Sequence, residues 1–521
     1  KSNDNPVENF GIRPLPNLEA KFVAANTLIG LDKKDASLFD SAEIKAKENE
    51  LKIAKHKIFG AKTVRTKRKY RQIVNGLRLE IANMLEDCGA VGNAEAQQLA
   101  AWDMFDQNAS SLFFDPEWMF NVKDGFDIVI GNPPYIDSET MTLLGQTKLR
   151  EYIVNNYEYI KGNWDIYMAF LERGLLLSNN CLCYITPDKW LSKPFGSKFR
   201  EKCMIPRLKT ILHTGNKTFE SATVDAIITL FLDKSNEISA YRFDKDKNII
   251  LMNTVLSKSI IKPYYIDSLF SEHNFFVSNM ERGAITLKQI AECENACATN
   301  VAYELSPYVF NVNADYDPVR CLKLVNTGTI DKYANKWGVK EITYLGSKYI
   351  YPVVDKNKFR ANFGVAYVRK AFSRKLIFKG LNLLDGFIDF NGEYLPGKTT
   401  LVICSDNISD LKFLCGLLNS KLALFYIKLK YASSSYCGGI TFSKDMINNF
   451  PIRENIDIKN RIIDIVDAIL AIKQENPIAD ISIEEFKIDL LTYRLYGLTY
   501  DEVLIVDPQT PITLSLIHIS E

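Results

Sequence analysis

Charge of one sign is not in surplus: 64 Lys and Arg stand against 63 Asp and Glu, leaving a formal net charge of +1. A global field toward a polyanion is excluded, so any nucleic-acid contact must come from local basic patches. Cysteine is sparse, ten in 521 residues, which excludes a disulfide framework. Cys181-x-Cys183 falls inside an apolar strand pattern, and Cys293-x3-Cys297 has no nearby His pair. No zinc site, and no metal of any kind, is therefore expected, and the thiols read as reduced and cytosolic. No apolar run reaches the length of a membrane span, so no membrane partner is expected. The opening KSNDNPVENFGIRP lacks the features of a signal peptide, and no internal repeat is visible. What remains is the composition of a soluble globular protein, 47% hydrophobic and 24% charged. The length suits roughly three or four domains.

The most informative stretch is FDIVIGNPPYI, Phe126 to Ile136. An apolar strand runs into Asn132-Pro133-Pro134-Tyr135, and turns at the C-terminal ends of sheet strands are where open α/β folds keep their sites. Two prolines fix φ and withdraw two N–H donors. The carbonyl before them and the Asn132 side chain then remain as acceptors. A planar NH2 group needs two such acceptors if its nitrogen is to become nucleophilic. Tyr135 adds a flat face on which a base could stack. The plain alternative is a rigid Pro-Pro turn after a buried strand.

Elsewhere the pattern alternates strands and helices. Residues 20–29 read as a short buried strand ending in a polar turn. Over 38–100, Ile44, Leu51, Ile53, Ile58, Ile73, Leu77, Ile81 and Leu85 recur at mostly helical intervals. Within that region KTVRTKRKYR, 62–71, holds six basic residues in ten and reads either as a phosphate contact or as a solvated helix face. An amphipathic helix is predicted over 162–177, and strands over 181–187, 208–215 and within 217–232. Such alternation argues a mostly parallel sheet. Near 235–240 the texture changes to short mixed strands, aromatics and Gly turns. Inside this part, 410–431 reads as one helix, and the segment from 456 turns helical again. Ser482 with Glu485 is a capping-box candidate and Gly497 a C-cap. The tail from 508 matches neither periodicity and reads as foreign to the protein.

The FDIVIGNPPYI stretch resembles the catalytic motif of amino-group DNA methyltransferases. Further stretches extend the match: LPNLEAKFVAANTLIGL, HKIFGAKTVRTKRKYRQ, SLFFDPEWMF, KGNWDIYMAFLERGLLL, KTFESATVDAIITLFL and GLLNSKLALFYIKLKYASSSYCGGITFSKDMINNFPI. Jointly they resemble the large bacterial adenine methylases of Type IIG restriction-modification enzymes, with a TaqI-like specificity domain. The resemblance implies an α/β fold: an incomplete Rossmann-like class I methyltransferase sheet over 1–235 with the helical insertion, then a mixed α+β target-recognition domain over 236–455 and a C-terminal helical segment over 456–507. It implies S-adenosylmethionine as methyl donor, double-stranded DNA as substrate and a flipped adenine as target. In that reading Asn132 and the Pro133 carbonyl, followed by Pro134, accept from the amino group, while Tyr135 and Phe219 sandwich the base. Asn26, where the family often has Asp, and Phe170 contact the adenine of the cofactor.

The family's glycine-rich cofactor loop and the acidic residue that binds ribose should precede residue 15, and neither is there. Nor does the chain start with Met, so it reads as the C-terminal part of a longer enzyme, inactive by itself without the missing N-terminal region. Strand 126–131 is then expected to present an unpaired edge. For DNA contact, the run VRKAFSRKLIFKG offers Arg369, Lys370, Arg374, Lys375 and Lys379, with a solvated strand face as the alternative. Two other functions stay open. One is a specificity module that binds DNA without catalysis. The other is a glutamine methyltransferase, whose NPPY turn would activate an amide nitrogen by the same physics.

Overall fold

A computed structural model describes residues 22–31, 41–61, 63–103, 110–215, 225–312, 316–432, 435–436 and 439–513. The chain divides into two compact units. The first comprises Lys1–Pro187, Lys202–Ile211 and Ile227–Asn236; the second comprises Asp188–Glu201, Leu212–Ala226 and Glu237–Glu521. The fold is α/β, and no described helix is long and apolar enough to cross a membrane.

The first unit opens with a two-residue strand β1 (Ala24–Ala25), paired in parallel with β2 (Ser110–Ser111). Between them lie three helices, α1 (Ala42–Phe59), α2 (Val64–Asp87) and α3 (Asn93–Ala101). Each of the first two begins at a hydroxyl cap: Ser41 accepts from the Ile44 N–H and Thr63 from that of Thr66, both at 3.2 Å. Their buried stripes are Ile44, Leu51, Ala54 and Ile58 on α1, and Val74, Leu77, Ile81, Ala82 and Leu85 on α2. Ile53 and Ile73 do not join them; they are exposed. Ile53 sits two residues from Leu51, which on a helix turns it to the far face. The buried Arg78 replaces an apolar residue on α2. It donates to the Leu99 carbonyl at 3.3 Å and lies 5.0 Å from the Trp102 ring, and burial lowers its pKa to about 10.

The rest of this unit is built on β3 (Phe126–Gly131), α4 (Tyr167–Leu177), β4 (Ser178–Pro187) and most of β5 (Leu208–His213) and β6 (Ala226–Leu232), whose residues Leu212, His213 and Ala226 count with the second unit. The strands lie in the order β3-β4-β6-β5, with β3 and β4 parallel. A parallel pair places both C-terminal ends at one side of the sheet, the position of ligand sites in open α/β folds. β3 is the edge strand, in agreement with the expected exposed edge: Ile128 and Ile130 are 60% and 78% exposed. Such an apolar edge invites pairing with another strand.

The second unit holds the antiparallel ribbon β7 (Glu237–Phe243) and β8 (Ile249–Leu256). It also holds helix α5 (Val365–Phe372) and a four-stranded sheet in which β9 (Lys375–Lys379) lies between β10 (Gly386–Asp389) and β11 (Thr400–Cys404). The helix expected over 410–431 is two helices, α6 (Ile408–Asn419) and α7 (Lys421–Lys430). Ser420 breaks them: its extended backbone (φ −72°, ψ 155°) and a hydroxyl that accepts from the Ala423 N–H make it the cap of α7. Two further helices, α8 (Ile456–Glu475) and α9 (Ser482–Tyr496), close on α6. A Cβ at Gly416 would come within 2.7 Å of Ile462 and 3.5 Å of Ile488, so the C-terminal helices belong to the same core as α6. The capping box expected at Ser482 does not form. Ile481 is the cap residue, and the Ser482 hydroxyl turns to Asp480 instead. A capping box does form nearby at Thr499 and Glu502, while Gly497 is the left-handed C-cap expected (φ 66°). The nine described cysteines are free thiols.

Candidate active site

The candidate site is assembled on α4. At the end of β3 the chain leaves the sheet at Gly131, where a Cβ would approach the Tyr184 ring to 2.8 Å. Only glycine lets the strand lie this close to Tyr184, which α4 covers from its own glycine, Gly174. Asn132 and Pro134 are exposed, Pro133 is buried and Tyr135 is half-buried. Among the described residues, neither the Asn132 side chain nor the Pro133 carbonyl has a hydrogen-bond partner. Two acceptors are thus left open at the strand end.

Beyond the turn the backbone is locked. Ile136 accepts from the Ile166 N–H at 2.8 Å, and Ser138 donates to the Trp164 carbonyl at 2.9 Å. Asp137 caps the next short helix by accepting from the Glu139 and Thr140 N–H groups at 3.0 and 2.7 Å. This bridge to residues 164–166 explains why α4 starts at Tyr167, later than the expected 162. Tyr135 is held from two sides. Its hydroxyl donates to the Ile185 carbonyl at 3.4 Å, and its ring meets that of Tyr167 edge-on. Burial raises its pKa, so the phenol stays neutral.

Farther along α4, Arg173 donates to the Thr27 carbonyl at 3.1 Å and to that of Phe114 at 3.2 Å. Tyr157 donates to the Leu28 carbonyl at 2.7 Å. These bonds fix the turn after β1 that carries Asn26. The Asn26 Oδ1 accepts from the Leu28 N–H at 3.2 Å, and its backbone N–H donates to Ser111 at 2.9 Å. Phe170 is partly exposed on a helix whose residues 167–169 and 171 are buried. One helix thus joins the two expected subsites, with Tyr167 under the acceptor loop, Arg173 on the Asn26 turn and Phe170 between them. From Tyr167 to Arg173 the helix rises roughly 9 Å.

Phe219 lies outside the described residues. Sequence reasoning missed Tyr167, Tyr184 and Arg173, because their roles are contacts distant along the chain; the glycines at 131 and 174 were the available signal.

The basic run on α5 and β9 is placed differently from the expectation. Lys375 is fully buried, ion-paired to Asp389 at 2.5 Å and donating to the Ala371 and Ser373 carbonyls. It cannot reach a phosphate, and its assignment as a DNA contact is withdrawn. Burial lowers its pKa, against the pull of Asp389. Arg369 is paired with Glu294, Lys379 with Asp385 at 2.5 Å, and Lys370 donates to the Asn295 carbonyl at 2.5 Å. Arg374 donates to the Phe390 and Asp406 carbonyls at 3.4 and 3.0 Å. By contrast, Arg65 and Arg68 in the first turns of α2 are exposed.

The comparisons point to one class. Residues 41–219, less than half of the chain but including the acceptor loop, match the family model of the Eco57I restriction-modification methylase. Among individual proteins, the chain is 30% identical over 115 residues to the Type II restriction enzyme and methyltransferase RM.Eco57I of Escherichia coli, covering 21% of this chain and 11% of that protein. It is 36% identical over 77 residues to the Type II methyltransferase M.PaeR7I of Pseudomonas aeruginosa, covering 14% of this chain and 13% of that one. The matched stretches therefore span only a small part of these relatives. Among solved structures, the Type IIL restriction-modification enzyme MmeI in complex with DNA superposes with a TM-score of 0.45 at 12% identity, over 89% of this chain and 76% of that one. The similarity is thus to restriction-modification methyltransferases.

Proposed function

We propose that the protein is an adenine-N6 DNA methyltransferase of a restriction-modification system, using S-adenosylmethionine on a flipped-out adenine within a specific double-stranded site. The observation that carries this reading is the pair of open acceptors, the Asn132 side chain and the Pro133 carbonyl, on a loop braced at the C-terminal end of β3. Two acceptors match the two hydrogens of an exocyclic amino group. Accepting both draws the nitrogen lone pair out of conjugation, which stabilises charge as it develops. Tyr135, held by Tyr167 and Ile185, offers its face to the base without having to be ordered on binding. S-adenosylmethionine supplies the electrophilic methyl group when bound. Asn26 and Phe170 fit the adenine end of that cofactor: a polar amide on a stapled turn, and a half-exposed aromatic face about one helical turn before the Arg173 that staples it.

For the DNA backbone, α2 is the better candidate than α5 and β9. Its first turn has no acidic residue and carries Arg65, against the preference of helix N-termini for negative charge. A phosphate there would reverse that repulsion. The experiment is methyl transfer from radiolabelled S-adenosylmethionine to DNA by the full-length protein. Asn132→Ala should abolish transfer while specific DNA binding stays within a few-fold, because the acceptor works mainly in the transition state. Near-normal turnover of the variant would sink the reading. Methylation at a cytosine would show that the acceptors serve another amino group.

A further inference from the structure

A second cluster lies wholly within the second unit and takes no part in the reaction proposed above. Asp188, His213, Asp225, Arg242, Asp267 and Phe270 line a cavity of about 330 Å³. The potential ligand atoms of Asp188, His213 and Asp225 all lie within 4.8 Å of one another, and His213 Nε2 is 3.9 Å from Asp188 Oδ2. Three carboxylates thus crowd one cavity. Arg242 and Lys428 stand on its wall, yet neither forms an ion pair among the described residues. Arg242 turns to the Phe270 carbonyl at 3.3 Å.

Asp188 supplies the independent observation. It is 6% exposed, and among the described residues its carboxylate accepts no hydrogen bond from another residue. His213 Nε2, 3.9 Å from its Oδ2, is beyond hydrogen-bond range. A buried carboxylate that no other residue's hydrogen bond reaches is costly unless a cation or a proton joins it.

We propose that this cluster binds one divalent cation, with Asp188 and Asp225 as carboxylate ligands and His213 as the nitrogen ligand. The ligands come from three separate stretches of chain, so the ion would tie them together. Carboxylate-rich sets with an imidazole suit Mn²⁺, and Mg²⁺ or Ca²⁺ through the oxygens. The His213 ring must rearrange. Gly215 N–H donates to its Nδ1 at 3.1 Å, which leaves the ring hydrogen on Nε2. Ligation by Nε2 moves that hydrogen to Nδ1 and gives up the Gly215 bond, so the ring itself releases no proton, while any proton held by a carboxyl ligand leaves to solvent.

The test uses the full-length protein stripped with chelator and titrated with MnCl2, read by calorimetry and by water-proton relaxation, with MgCl2 and CaCl2 in parallel. One ion should bind per chain and raise the melting temperature. Asp188→Asn and Asp225→Asn should each weaken binding at least tenfold and abolish the thermal shift. His213→Ala should weaken Mn²⁺ more than Mg²⁺. Glu292→Gln, an exposed residue outside the cluster, should change nothing. Asp188→Asn should melt no lower than the metal-free wild type, since it removes a buried repulsion, so its loss of binding is not misfolding. Absence of binding at millimolar metal, or binding that survives both Asp variants, overturns the proposal.

Discussion

The Tyr135 ring meets the Tyr167 ring edge-to-face, with centroids 6.4 Å apart and planes at 83°. That geometry is attractive in itself, because the positive ring edge faces the negative ring face. It also fixes the angle at which Tyr135 presents itself at the acceptor loop. Tyr135→Ala should weaken capture of a flipped base by about 1–3 kcal/mol. Tyr135→Phe, which keeps the ring and loses the bond to the Ile185 carbonyl, should cost much less. Fluorescence of 2-aminopurine at the target position reads both. Equal emission from wild type and Tyr135→Ala would remove Tyr135 from the base pocket.

The division between what the sequence shows and what it hides is physical. Strand 126–131, helix 167–177 and the Gly497 cap were legible because their signals are local: periodicity, proline and glycine. Ser420 was hidden, since its hydroxyl cap breaks an otherwise unbroken apolar helical pattern. Lys375 was read as a candidate DNA contact because composition alone does not show Asp389 beneath it. Arg173 was passed over for the same reason: its partners, Thr27 and Phe114, are far away in sequence.

The burial of Lys375 has a consequence for stability. Asp389 accepts its ammonium and also the N–H groups of Glu393 and Tyr394, at 3.1 and 3.0 Å, so the pair organises the turn after β10. Lys375→Met should destabilise the protein by about 3–5 kcal/mol, because it leaves a buried carboxylate uncompensated. Urea denaturation measures this. The salt dependence of DNA binding should stay the same at temperatures where the variant is folded, since no phosphate contact is lost. A shallower salt slope would return Lys375 to the interface.

Asp489 makes stability depend on pH. It is buried on α9, where its Oδ1 accepts from the Lys421 N–H at 2.9 Å. Desolvation outweighs that bond and raises its pKa to about 6. The folded value lies above the unfolded value of about 3.9, so folding binds a proton more tightly. Its contribution is fully present below about pH 4 and is lost as the pH rises through about 6. Asp489→Asn keeps an acceptor and removes the titration. It should flatten the stability profile between those values and stabilise the protein at pH 7 by up to about 3 kcal/mol. Urea midpoints at acid and neutral pH test this; a variant equally destabilised at both would show that the carboxylate is needed for its hydrogen bond alone.

Arg173 links the two halves of the candidate site, and its removal should separate affinity from chemistry. Its guanidinium spans the Thr27 and Phe114 carbonyls, and Tyr157 holds Leu28 beside it. The Asn26 turn is therefore fixed before any ligand arrives, which lowers the ordering cost of binding. Arg173→Met keeps the apolar stem and loses both bonds. Arg173→Lys cannot restore them, because one ammonium does not reproduce the planar fork. With Tyr157 still in place the turn should loosen rather than unfold. The KM for S-adenosylmethionine should rise about tenfold, the equivalent of one lost hydrogen bond, while kcat at saturation changes little. Hydrogen exchange at residues 26–29 should speed up in parallel. If KM is unchanged while exchange accelerates, Arg173 only stabilises the turn and Asn26 does not touch the cofactor. If kcat falls and KM holds, α4 acts on the acceptor loop and not on the Asn26 turn.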